Sequence, residues 1–194
     1  MKNTNSKTAK IFAEILVLGS LLMGVTNVAF ATTAAVTATV KLQNIQVTVS
    51  DGSVNYGVLA LSTTVDTVAT SGTSHLSDPQ IANNTGNIAE DLTIKGKDAT
   101  TASSTCTLGG SPSLWYLSST STSADHYTHK FSTSTTGVNF NFLSTSYTTL
   151  KSNLSASTTQ SFDLQLTTPT ASSCYDPQSV DITVSAACAA GVSC

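Results

Sequence analysis

Apolar residues recur at every second position along most of this 194-residue chain, a period that fits strands with one buried face and fits helices poorly. Val36, Ala38, Val40 and Leu42 alternate first; the phase then slips, and Ile45, Val47 and Val49 carry on. A bulge or strand break near Gln43-Asn44 accounts for the slip, because one extra residue turns every later side chain to the opposite face. Asp51-Gly52 signals a turn. Strands are expected over 54–61, 65–68 and 88–94, with a loop at Ser77-Asp78-Pro79 and a turn at Asn83-Asn84-Thr85-Gly86-Asn87. Short apolar pieces at 114–117, 127–131 and 138–143 alternate with Ser/Thr runs at 118–123 and 132–136, which read as loops. Two clear strands finish the pattern, one carrying Phe162, Leu164 and Leu166, the other Val180, Ile182, Val184 and Ala186. No stretch after residue 31 holds a helical period between capping residues. About eight to ten short strands joined by polar turns predict an all-β fold, a single β-sandwich of jelly-roll or immunoglobulin-like type.

The first 31 residues have a different grammar. Lys2, Lys7 and Lys10 make a positive region, Ile15 to Val25 an apolar stretch, and Ala29-Phe30-Ala31 a small-x-small site. That order is the signature of a cleavable secretory signal peptide. The apolar stretch is shorter than the roughly 18 residues a membrane span needs. Glu14 before it also resembles the start of a type IV pilin helix, but the processing site such precursors carry is missing. The expected organisation is a signal peptide over residues 1–31, a sandwich domain over 32–187, and a disulfide-closed tail over 188–194, in a secreted, extracellular or cell-surface protein. The chain lacks an LPxTG sorting signal, a lipobox Cys and a carboxy-terminal apolar anchor, so no membrane association is expected after cleavage.

Charge narrows the partners. Lys41, Lys95, Lys97, Lys130 and Lys151 are the only cations after residue 31; they face ten Asp and Glu, 5 − 10 = −5, and arginine is absent. Nucleic acid is excluded, since phosphate recognition needs clustered Lys and Arg. Ser and Thr fill 58 of the 163 positions after residue 31 (194 − 31). The solvated face is therefore built from hydroxyls, and Thr itself favours strands.

Four cysteines, Cys106, Cys174, Cys188 and Cys194, follow the signal sequence, a combination that implies two disulfides. Cys106 with Cys174 is the favoured pairing, since both lie beside apolar segments able to be neighbouring strands; Cys188 with Cys194 would close a short carboxy-terminal loop. No zinc-type spacing occurs among them, and neither metal nor cofactor is expected. His126 and His129 are candidates for ligands or an acid–base pair, yet residues three apart on a strand face opposite ways, and a loop surface is the simpler expectation. Glu90-Asp91, the one adjacent acidic pair, would likewise face apart. No Gly-x-Ser-x-Gly elbow marks a nucleophile among the many hydroxyls. No catalytic residue is assigned and no enzyme is expected. Trp115 and Tyr116 could stack on a sugar ring, but Trp115, as the sole Trp, is better read as the core aromatic of the sandwich.

Two resemblances follow from particular residues. Val54-Asn55-Tyr56-Gly57-Val58-Leu59-Ala60-Leu61, followed downstream by Asn83-Asn84-Thr85-Gly86-Asn87-Ile88, resembles the TasA and camelysin family of bacterial surface and biofilm-fibre proteins; Thr85 is an extra residue in the turn. The resemblance implies a jelly roll, and fibres made when an amino-terminal segment completes a neighbour's sheet. Trp115-Tyr116-Leu117 resembles the first motif of WxL wall-binding domains, whose second Trp motif is replaced here by Asp181-Ile182-Thr183-Val184. The expected function is that of a secreted structural protein of the cell surface or extracellular matrix, self-assembling by strand exchange, with itself as partner. The alternative is a module binding cell-wall glycan or peptidoglycan.

Overall fold

The computed structural model describes residues 37–70, 72–101, 107–108, 111–112, 115–134 and 136–194, with only the backbone at 107, 108, 111 and 112. Packing divides the chain after Val40. Of the first unit only residues 37–40 are described, as exposed, irregular backbone. The second unit, Lys41–Cys194, holds every described strand, and no helix occurs among the described residues.

The strands are β1 (Val47–Val49), β2 (Thr64–Asp66), β3 (Gln80–Asn84), β4 (Glu90–Lys95), β5 (Thr100–Thr101), β6 (Thr107–Leu108), β7 (Ser111–Pro112), β8 (Tyr116–Leu117), β9 (His126–Ser132), β10 (Asn141–Phe142), β11 (Thr148–Leu154), β12 (Thr159–Thr167), β13 (Gln178–Ser179) and β14 (Thr183–Cys188). The larger sheet runs β1-β3-β12-β9-β10, with β2 continuing the β3 edge of β12 and β8 lying parallel to β9. The smaller sheet runs β11-β4-β14, antiparallel throughout. Strand β12 is the axis of the larger sheet: Ser161 pairs with Ile81 on β3, Leu166 with Val65 on β2, and Leu164 with Phe131 on β9.

Alternation explains which faces meet. Ala82, Phe131, Phe162 and Leu164 from the larger sheet pack against Leu92, Ile94, Leu150 and Leu154 from the smaller one, so the apolar face of each sheet covers the other. Leu92 and Ile94 are fully buried, and truncating either to Ala should cost about 2–5 kcal/mol. A smaller cluster of Ala99, Tyr127 and Leu166 continues the core, with Tyr56, Leu59 and Trp115 against it. The chain is thus all-β with two facing sheets, as its period implied.

Several local expectations are corrected. Residues 37–42 are not in a strand despite their alternation, and β1 starts only at Val47; the slip near Gln43-Asn44 separates an unpaired segment from a paired one. Residues 54–61 hold no strand either, because that stretch leaves the sheet after the Asp51-Gly52 turn, where both φ angles are positive (66° and 69°). The run 180–186 is a strand only from Thr183 onward, in β14; residues 180–182 are irregular, and β13 ends before them at Ser179. Strands β3 and β11 were not anticipated, since Gln80, Asn84 and Asn153 disguise their apolar period.

Candidate functional site

Two features combine exposure with defined geometry: a groove between the sheets, and the segment that leads into β1.

The groove, of about 760 Å3, is lined by Val49 of β1, Phe162 and Leu164 of β12 and Val184 of β14, and is framed by the irregular segments 52–61 and 175–182. On its wall the hydroxyl of Tyr56 lies 2.9 Å from Nε2 of His129. Full burial drives the His129 pKa down to about 3. Burial, followed by the charges of Asp66 and Asp78, pushes the Tyr56 phenol far above its ordinary value. Both groups are therefore neutral near pH 7, and the pair is a hydrogen bond between uncharged partners. At the rim stand Asp176 and Asp181, the latter 3.1 Å from Lys97 Nζ. Gln178 also lines the groove, and its Oε1 is buried without a hydrogen bond. The site offers apolar walls with two carboxylates at the rim, one of them paired with Lys97.

The sequence candidates separate. His126 and His129 do lie three apart on one strand, β9, rather than on a loop surface; His129 is buried and His126 exposed, so they do not converge. Trp115 turns inward, its Nε1 donating to Ser172 Oγ at 2.8 Å and its ring 6.4 Å from that of Tyr127. Tyr116 faces out at 49 % exposure, its ring 5.5 Å from that of His126. Adjacent strand residues cannot present one aromatic platform, and this pair does not. Glu90 is buried while Asp91 is partly exposed, again on opposite faces. Cys188 and Cys194 are bonded, with Cα atoms 6.4 Å apart. Cys174 is also disulfide-bonded; Cys106 lies outside the described residues. Among the described residues no three His, Cys, Asp or Glu gather as a metal site.

Sequence reasoning missed the second feature. Residues 42–46 carry no strand, and Leu42 is 81 % exposed, yet the main chain is held at nearly every step by the Asn84–Asn87 turn. Asn87 Nδ2 donates to Leu42 O at 2.7 Å, Asn44 N donates to Asn87 Oδ1 at 2.9 Å, and Asn87 N donates to Asn44 O at 3.0 Å. Thr85 N and Gly86 N donate to Gln46 O, and Gln46 N donates to Glu90 Oε1 at 2.7 Å. A five-residue polar turn was visible in the sequence; what it grips was not, because the partners lie about forty residues away.

No protein-family model matches the chain, and neither does a curated protein or a solved structure. The disulfides fit an oxidising compartment, and among the described residues no helix is long and apolar enough to cross a membrane.

Proposed function

We propose that the chain is a secreted structural protein of the cell surface or extracellular matrix, which self-assembles by lending its amino-terminal segment to a neighbour's sheet. Cleavage after Ala31 leaves an arm that starts at Thr32. The observation that carries the reading is an alternating segment without a sheet: Val40 and Leu42 are 84 % and 81 % exposed, and residues 37–46 form no strand. An apolar, strand-patterned segment in water gains by adding to any open edge, and main-chain hydrogen bonding does not distinguish its own edge from a neighbour's. Strand β14 pairs on one side only among the described residues, and the groove beside it has apolar walls. Exchange of this kind is head-to-tail, so open filaments follow unless the rotation closes a ring. The motif-level resemblance to the TasA and camelysin group agrees with this use of the arm.

The test uses secreted protein whose intact mass confirms Thr32 as its first residue. Light scattering and negative-stain microscopy should show high-mass species and filaments, and deletion of residues 32–42 should leave a soluble monomer. Full-length protein that stays monomeric at every accessible concentration, yet sediments with insoluble peptidoglycan, would replace assembly with wall binding.

A further inference from the structure

The arm has to leave the domain from somewhere, and its last residues are held by hydrogen bonds instead of apolar contacts. Leu42 is 81 % and Ile45 41 % exposed, so their side chains contribute little to holding the segment. The grip comes from three pieces. Asn87 reads the main chain at Leu42 and Asn44 from both ends of its carboxamide. Glu90, fully buried at the head of β4, accepts from Gln46 N through Oε1, while its Oε2 makes no hydrogen bond. The tail closed by Cys188–Cys194 accepts from the Gln43 side chain through Ser193 O, and is itself tied down by Ala189 N to Ala89 O and Ala190 N to Asp91 Oδ2. Gly86 makes the approach possible: a Cβ there would stand 2.4 Å from Asn44 O and 2.5 Å from Glu90 Oε1.

We propose that Gly86, Asn87, Glu90 and the disulfide-closed tail form a clasp that locks residues 42–46 in one conformation and so presents the arm from a fixed root. The role of this clasp in assembly rests on the strand-exchange reading above; the locking itself does not. A fixed root lowers the ordering cost of docking, so the clasp raises assembly affinity without touching the neighbour. The Asn87, Thr85 and Gln43 bonds are exposed to water, so removing one of them should loosen the clasp without unfolding the sandwich.

Lys41-Leu42 supplies a readout independent of assembly, because a trypsin-like protease must extend the residues on both sides of the bond it cuts, and residues 42–44 are held. Trypsin is used on the mature protein at a concentration too low for association, with amide exchange at Asn44 and Gln46 followed in parallel. Cleavage after Lys41 should be slow in the wild type, and at least about tenfold faster in Asn87→Ala and Gly86→Ala and in the Cys188→Ser/Cys194→Ser double variant. The thermal midpoint of Asn87→Ala should stay near the wild-type value, since Asn87 is exposed; this variant keeps the test decisive should Gly86→Ala fail to fold. Unchanged cleavage and unchanged exchange in a folded Asn87→Ala protein would overturn the clasp. Fast cleavage in that variant with no assembly by the wild type would uphold the clasp and reject strand exchange. Fast cleavage with weaker assembly supports both.

Discussion

The carboxamide of Asn84 donates to Ile88 O at 2.8 Å and to Leu154 O at 2.9 Å, and its oxygen accepts from Gly86 N at 2.9 Å. One buried side chain thus ties the end of β3 to the turn behind it and to β11 in the facing sheet. Asn84→Asp keeps the shape and the acceptor but removes both donors, and leaves two carbonyl oxygens facing a carboxylate. We expect a loss on the order of 3 kcal/mol in urea unfolding, larger than for Asn84→Ala, which adds no charge. A neutral effect of the Asp variant would show that Asn84 is not a staple. His129 makes a second residue-scale prediction. Its folded pKa, about 3, lies below the ordinary value of 6.5, so the unfolded chain binds a proton that the folded chain refuses. Stability should hold above about pH 7 and fall by up to about 1.4 kcal/mol per pH unit on acidification below the unfolded pKa. Asp78 and Asp163, both raised by burial, act in the opposite sense at lower pH, so His129 is read most cleanly between about pH 5 and 7. His129→Gln can still hydrogen-bond to Tyr56 and should flatten that slope; an unchanged slope would assign the acid sensitivity elsewhere. Neither residue announced its role, since a turn Asn and a strand His look the same whether solvated or buried.

Legibility at the scale of elements follows packing. β4, β12 and the greater part of β14 could be read because their inward positions are apolar at strict alternation: Leu92 and Ile94, Phe162 to Leu166, Val184 and Ala186; in β9 the buried His129 between Tyr127 and Phe131 interrupts that pattern. β3 and β11 escaped because Gln80 and Asn84 are buried polar residues, and because β11 carries register shifts between Thr149 and Lys151 and again before Leu154. The groove did not show at all, being assembled from segments up to 135 positions apart, Val49 to Val184 (184 − 49). The arm is the informative error. Its alternation predicts a strand, and the lack of one within its own sandwich is the reason to look for a partner. If that pattern is used in a neighbour's sheet, one face must be buried there. Val40→Asp, on the apolar face, should then abolish high-mass species, whereas Thr39→Asp, on the opposite face, should leave assembly within a few-fold of wild type. Equal tolerance of both changes in light scattering would rule out a one-sided strand. Both variants lie outside the held residues 42–46, so amide exchange at Asn44 and Gln46 should match the wild type.

Taken as a whole, the molecule has few charges with which to hold itself together. Lys97 with Asp181 is an ion pair well exposed at both ends, and exposed pairs contribute little; Asp66 and His75 are joined by a 2.6 Å hydrogen bond. Stability must come from the apolar contact between the sheets and from covalent closure. Cys188–Cys194 closes a loop of seven residues (194 − 188 + 1), for which chain entropy gives about 2.4 kcal/mol. A Cys106–Cys174 bond would close 69 residues (174 − 106 + 1), and the same treatment gives about 4.4 kcal/mol. The two bonds should therefore separate by both size and consequence. Cys188→Ser/Cys194→Ser should lower stability modestly and loosen the arm's root, while leaving the sandwich cooperative. Cys106→Ser/Cys174→Ser should cost nearly twice as much, because it releases constraint over more than a third of the chain in the unfolded state, and should leave the Asn44 and Gln46 amides protected. Non-reducing peptide mapping decides the premise: a Cys174 peptide linked to Cys106 upholds it, and one linked to Cys188 or Cys194 overturns both the pairing and the order of the two stabilities.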